Sequence, residues 1–228
     1  NGFKLVGLEA RPISNDNGLL EIKALAEQNR FPPCVRRGGI FPYDNRPAWV
    51  NCLLRFLTTP PKRTLRLVVN AGHGTAGPAL DALDEGLKRA GVPVEFIRIH
   101  HQPDGRFPAG VPNPMLPENR QSTRLAVIEH HADAGIAWDG DFDRCFLFDE
   151  RGNYVENYYL VGLFAEHFLR RYPGSRVILD PRLIWNTLDV VAHCGGNAIV
   201  SKTGHAFIKA RMRKEDAIYG GEMSGHHY

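Results

Sequence analysis

Short apolar runs, bounded by glycine, proline, asparagine and aspartate, alternate along the chain with longer stretches of helical spacing. Residues 1 to 18 mix Gly, Pro, Asn and Asp with brief apolar pieces and read as a lead-in segment. Helical spacing covers Leu19 to Asn29, and a breaker-rich loop follows from Phe31 to Pro42. Asp44 to Leu57 sets Trp49, Leu53, Phe56 and Leu57 on roughly one face, which predicts a helix. It should stop before Thr58-Thr59-Pro60-Pro61, because a proline pushes its predecessor out of the helical region. Leu65 to Asn70 predicts a strand. A glycine-rich turn, Ala71 to Gly77, opens a helix to about Arg89, and Val92 to Ile99 predicts the next strand, so the order is that of a βαβ unit. The proline-rich stretch His100 to Pro117 is a long loop, and residues 119 to 132 predict an amphipathic helix through Leu125, Ile128 and Ala132. Two short buried strands come next, Gly135 to Trp138 and Cys145 to Asp149.

The second half keeps the same rhythm. Helices are expected at Tyr158 to Arg171, Trp185 to His193 and Ala206 to Lys214, and strands at Arg176 to Leu179, Ala198 to Val200 and Ala217 to Tyr219. The fold class is therefore α/β, with a division after the turn at Glu150 to Asn153: residues 1–153 and 154–228. Each later strand delivers polar residues at its C-terminal end, where an open α/β sheet receives its ligand. Arg182, the Lys202–His205 turn and the Glu222–His227 turn should line one cleft.

The densest chemistry lies between the two buried strands. Asp139, Asp141 and Asp143 alternate and Arg144 follows at once. Three like charges on one tight connection are unfavourable unless a cation neutralises them. The spacing matches the first, third and fifth places of a calcium loop, and Glu150 falls at the twelfth. Arg144, however, stands where that loop needs glycine, and the flanks read as strands and not helices, which speaks against an EF-hand. Carboxylates with room for a phosphate oxygen suit Mg²⁺, and Arg144 can hold the same phosphate. The letters Gly72-x-Gly74-x-x-Gly77 invite a dinucleotide reading, but Pro78 follows directly and His100-His101 stand where a ribose wants an acid. That turn is read as a compact connection needing glycine.

Composition narrows the classes. At 228 residues with a net charge of +3, the chain is ordinary for a soluble globular protein. Its basic residues are scattered and lack interleaved aromatics, which speaks against nucleic acid. Cys34, Cys52, Cys145 and Cys194 lie far apart with no C-x-x-C, and read as free thiols in a reducing compartment without a zinc site. No apolar run reaches transmembrane length and no signal-peptide layout opens the chain, so no membrane partner is expected. A start without Met and a stop at Gly-His-His-Tyr suggest an excised piece.

Asp-Gly-Asp-x-Asp-Arg at 139–144, Lys-Thr-Gly-His at 202–205 and Gly-Glu-Met-Ser-Gly-His-His-Tyr at 221–228 resemble, in order and spacing, the α-D-phosphohexomutases, and their bacterial phosphomannomutase branch in particular. Asp180-Pro181-Arg182-Leu183-x-Trp185-Asn186-Thr187 and Asp104-Gly105-x-Phe107-Pro108 extend the likeness over essentially the whole chain. The resemblance implies two three-layer α/β/α domains with mixed, largely parallel sheets. They would be the second (1–153, with the metal loop) and third (154–228, with the sugar loop) of four around a cleft. The first domain, which would carry a phosphoserine in a Ser-His-Asn-Pro context, and the fourth, which would hold the substrate phosphate, are then the missing partners. The implied substrate is a hexose phosphate, converted between mannose 6-phosphate and mannose 1-phosphate through a 1,6-bisphosphate with Mg²⁺ as cofactor, in the cytoplasm.

On the same resemblance, Asp139, Asp141 and Asp143 are metal ligands and Arg144 stands beside the phosphoserine. Glu222 and Ser224 contact sugar hydroxyls, and Arg182, Lys202 and His226 contact the sugar or its phosphate. His205 is a proton carrier, because an imidazole titrates near neutrality. Plainer roles stay open: a solvated acidic turn for Asp139, Asp141 and Asp143, since Asp and Gly are common in turns, His205 as a helix cap, Lys202 as a surface charge, Trp138 and Trp185 as packing, and one of His226 and His227 pointing away. Also open are a phosphoglucomutase, a phosphoglucosamine mutase, or a catalytically silent module binding Mg²⁺ or a sugar phosphate. The isolated chain is expected to be inactive.

Overall fold

The computed structural model describes residues 4–31 and 33–228. Its helices are α1 (Leu19–Glu27), α2 (Arg46–Leu54), α3 (Ala76–Arg89), α4 (Gln121–Glu129), α5 (Asn157–Arg171), α6 (Trp185–His193) and α7 (His205–Glu215). Its strands are β1 (Leu65–Asn70), β2 (Val94–Ile99), β3 (Ala134–Trp138), β4 (Cys145–Phe148), β5 (Tyr154–Val155), β6 (Arg176–Leu179), β7 (Asn197–Val200) and β8 (Tyr219–Gly221). They form a five-stranded sheet in the order β2-β1-β3-β4-β5 and a three-stranded sheet in the order β7-β6-β8. The first is mixed: β2, β1 and β3 run parallel, and β4 and β5 add antiparallel. The second is all parallel.

Neighbouring residues of β1 point to opposite faces, and this builds the layers. Val68 joins Ala126, Val127, Ala137 and Phe148 on the α4 side, while Val69 joins Ala71, Ala76 and Leu80 on the α3 side. In the second sheet, Val177, Leu179 and Tyr219 pack with Val161, Ala165 and Leu169 of α5 and Val191 of α6. Ile208 and Met212 of α7 lie against Gly220 on the opposite face. Both halves are thus α/β/α sandwiches. Tyr154–Val155 pairs with β4, so the first sheet runs two residues past the expected division at 153.

Four expectations need correcting. The buried face of α4 is Thr123, Ala126 and Val127, while Leu125 and Ile128 are exposed. The cause is close approach: a Cβ on Gly135 of β3 would lie 2.7 Å from Val127 and 3.0 Å from Thr123, so only small side chains fit beneath the helix. Helix α2 stops at Leu54; it buries Val50, and Phe56 beyond it is exposed. Strand β8 begins two residues later than predicted, at Tyr219. Trp185 is 71 % exposed at the start of α6, which rules out a packing role in this structure. Trp138 does pack, with its ring edge-on to Phe142 at 5.6 Å.

Candidate active site and metal centre

The acidic residues occupy the reversal between antiparallel β3 and β4. Phe142 sits inside it at φ +65°, a left-handed conformation that a bulky residue adopts only when held. Trp138 and Trp49 hold it, at ring-centre distances of 5.6 and 6.4 Å. The resulting curl turns alternate carboxylates to one side. Ligand oxygens of Asp139, Asp141 and Asp143 all lie within 4.8 Å of one another. Close packing beneath fixes the curl: the Thr75 amide donates to the Gly140 carbonyl at 3.1 Å, and a Cβ on Gly74 would stand 2.6 Å from that oxygen.

The three acids have different surroundings. Asp139 is 2 % exposed and accepts the Arg144 amide at 3.2 Å and the Arg144 Nε at 2.6 Å. Burial raises its pKa more than Arg144 lowers it. Burial also acts upward on Asp143, but Lys4 and His226 outweigh it and the net shift is downward. The Lys4 ammonium lies 2.7 Å from Asp143 Oδ2, and His226 Nε2 lies 3.3 Å from the same atom. Asp141 is exposed and has neither a hydrogen bond nor an ion pair among the described residues. Three hard oxygen donors converging around one point, one buried and one free, fit a small divalent cation.

Facing this reversal is the segment after β8. It folds back on the strand through reciprocal bonds between Gly220 and Tyr228, of 3.0 and 2.8 Å, and the Glu222 amide donates to the His226 carbonyl at 3.0 Å. Glu222 is 3 % exposed; Oε1 accepts the Tyr228 hydroxyl at 2.8 Å, and Oε2 lies 3.7 Å from the Arg182 guanidinium. Arg182 is itself paired with buried Asp180. Ser224 Oγ and His226 Nδ1 are 2.9 Å apart. His226 thereby spans from Ser224 to Asp143 and joins the two halves.

His227 points the other way. Its Nδ1 shares a 2.7 Å hydrogen bond with the buried Tyr219 hydroxyl, and burial, aided by the charge of His226, pushes its pKa down to about 4. His205 opens α7, and its buried Nδ1 has no hydrogen-bond partner among the described residues. Burial, Lys209 and Lys4 lower its pKa against the opposing pull of Glu222. Lys202 stands apart from this network, with its ammonium 4.1 Å above the Phe207 ring.

Sequence reasoning overlooked Lys4, Asp180 and Tyr228. Lys4 lies 139 positions from the carboxylate it touches, which no local pattern reveals. Asp180 was legible as an acid at a strand end, beside the arginine it holds. The four cysteines are free thiols, and burial pushes Cys145 up to about 12. No helix among the described residues is long and apolar enough to cross a membrane.

Two family models match the chain. Phosphoglucomutase/phosphomannomutase, alpha/beta/alpha domain II, covers residues 47–152, and alpha/beta/alpha domain III covers 156–228. A phosphomannomutase of Escherichia coli is 57% identical over the whole chain, which covers 50% of that protein. The chain thus spans about half the length of the curated relatives it matches. A crystal structure of a phosphoglucomutase/phosphomannomutase family protein from Burkholderia thailandensis superposes with TM-score 0.84 at 32% identity, over 95% of this chain and 45% of that one. An Aspergillus fumigatus N-acetylphosphoglucosamine mutase, solved with GlcNAc-6P and magnesium, shares the fold at TM-score 0.59 and 15% identity, over 78% of this chain and 38% of that one.

Proposed function

Because the chain belongs to the phosphoglucomutase/phosphomannomutase family, as its second and third α/β/α domains, we propose that it is the central half of a Mg²⁺-dependent phosphomannomutase. The observation that carries this is the convergence of Asp139, Asp141 and Asp143 on one point, joined through His226 to the Glu222 turn. The 57% identity to a phosphomannomutase over the full chain favours mannose phosphates. A division after Val155 keeps β5 with its own sheet. The first and fourth domains are the proposed partners. Leu20, Ile22 and Leu25 of α1 are all exposed and suit a surface that another domain covers.

In this reading the three aspartates hold Mg²⁺, which when bound neutralises charge on a transferring phosphoryl group. A phosphoserine of the first domain gives its phosphoryl group to the sugar phosphate, and the other phosphate of the resulting 1,6-bisphosphate returns to the serine. The net change interconverts mannose 6-phosphate and mannose 1-phosphate. Arg144, braced by Asp139, binds the phosphoserine's phosphate with a charge-assisted bond. Glu222 accepts and Ser224 donates to neighbouring sugar hydroxyls, a pairing that can serve the intermediate in either of two flipped orientations. Arg182, Lys202 and His226 hold the sugar or its phosphate. His205, with a lowered pKa, is neutral at pH 7 and can take the proton of an attacking hydroxyl. A cytoplasmic role supplying sugar for nucleotide-sugar synthesis fits this chemistry.

The isolated chain should convert no mannose 1-phosphate to mannose 6-phosphate, because the nucleophile lies outside it. Joined to its missing domains, it should turn the substrate over. An assembled enzyme that leaves mannose 1-phosphate unchanged in the presence of Mg²⁺ would sink this reading.

A further inference from the structure

We propose that Tyr228 is a positioning residue that fixes the sugar-binding geometry of Glu222. The inference rests on the reading of Glu222 as a sugar-hydroxyl acceptor. Glu222 is a buried carboxylate, and such a group is stable only when its lone pairs are met by donors. Its two oxygens have different neighbours. Oε1 takes the Tyr228 hydroxyl at 2.8 Å, and Oε2 faces the Arg182 guanidinium at 3.7 Å, beyond direct hydrogen-bond reach. The phenol therefore holds the carboxylate in a single orientation and leaves Oε2 as the oxygen open to a substrate hydroxyl.

Tyr228 is itself held on both sides. Its backbone pairs reciprocally with Gly220 of β8, and Gly221 and His227 form the adjoining antiparallel bridge. Its ring lies parallel to that of His226, with centres 6.4 Å apart and planes 7° apart, and the Lys209 ammonium is 5.4 Å from the ring centre. His226 in turn bonds Ser224 and reaches Asp143. One phenol thus organises the acceptor directly and braces the imidazole that spans to the aspartates.

The test is a double-mutant cycle in the assembled four-domain enzyme, read with mannose 1-phosphate. Tyr228→Phe keeps the ring and removes the donor. It should raise KM by about 10-fold with little change in kcat, because the Glu222 contact is made alike in the bound and transition states. In a Glu222→Ala background, which leaves the phenol no side-chain acceptor at position 222, the same change should alter KM by less than about 2-fold, since the Tyr228 hydroxyl acts through that carboxylate. Tyr228→Leu, which also removes the ring beside His226, should raise KM beyond Tyr228→Phe, and that extra increment should persist in the Glu222→Ala background. A thermal midpoint near that of the parent for at least one variant establishes folding. Equal KM effects in both backgrounds, or no effect in either, overturn the positioning role while leaving the mutase reading intact. A parent enzyme that turns over no hexose phosphate overturns both.

Discussion

Adjacent residues of one type carry opposite roles at the end of the chain. His226 faces an aspartate across the seam, and His227 is folded inward against Tyr219. The alternation of a strand-like return imposes this, since neighbours on an extended backbone point to opposite sides. It has a thermodynamic consequence. An unfolded histidine titrates near 6.5, whereas His227 in the fold is pushed down to about 4. Between those values the unfolded chain binds the extra proton, so stability falls as pH drops from about 6.5 to about 4 and is unaffected above that window. The full cost is about 3 kcal/mol. His227→Asn keeps a polar atom for the Tyr219 hydroxyl and cannot titrate. Urea unfolding at pH 7 and at pH 4.5 should find the parent losing more stability than the variant; equal losses would count against a buried neutral His227.

The reversal between β3 and β4 is the element around which the candidate site forms. Its alternating aspartates stood out in the sequence because three like charges demand a counterion. How they are aimed was not legible, because it depends on Phe142 being pinned by Trp49, a residue of a distant helix. The Gly72–Gly77 turn is a compact connection between β1 and α3, and what makes glycine necessary at position 74 is the Gly140 carbonyl. Gly74→Ala should therefore force the two turns apart and destabilise the chain by about 1–3 kcal/mol. Chemical denaturation measures this, and an unchanged midpoint would mean the turns are not in contact. Helix α4 shows the opposite limit of pattern reading. Its bulky apolar residues suggested one face, and the close approach at Gly135 selected another.

At the scale of the whole molecule, the site belongs to neither half alone. Asp143 of the first half meets His226 of the second and Lys4 of the lead-in segment. Asp141 is the carboxylate without a protein partner among the described residues, so its charge contributes little to the fold. In the complete enzyme Asp141→Asn should leave the thermal midpoint nearly unchanged in the absence of Mg²⁺ and cut turnover by at least about 100-fold, through loss of a metal-bound charge. Near-normal activity would refute the metal assignment. Local periodicity and turn chemistry by themselves determined the order of the helices and of every strand but β5, the α/β class, and the three motifs that carry the family resemblance, because each is written within a few consecutive residues. Only the tertiary structure decided that Lys4 reaches Asp143, that Tyr228 grips Glu222, and which histidine faces the aspartates. Lys4 and His226 meet Asp143 across 139 and 83 positions, which no short window spans, and Tyr228, though only six positions from Glu222, reaches it because the chain folds back on β8.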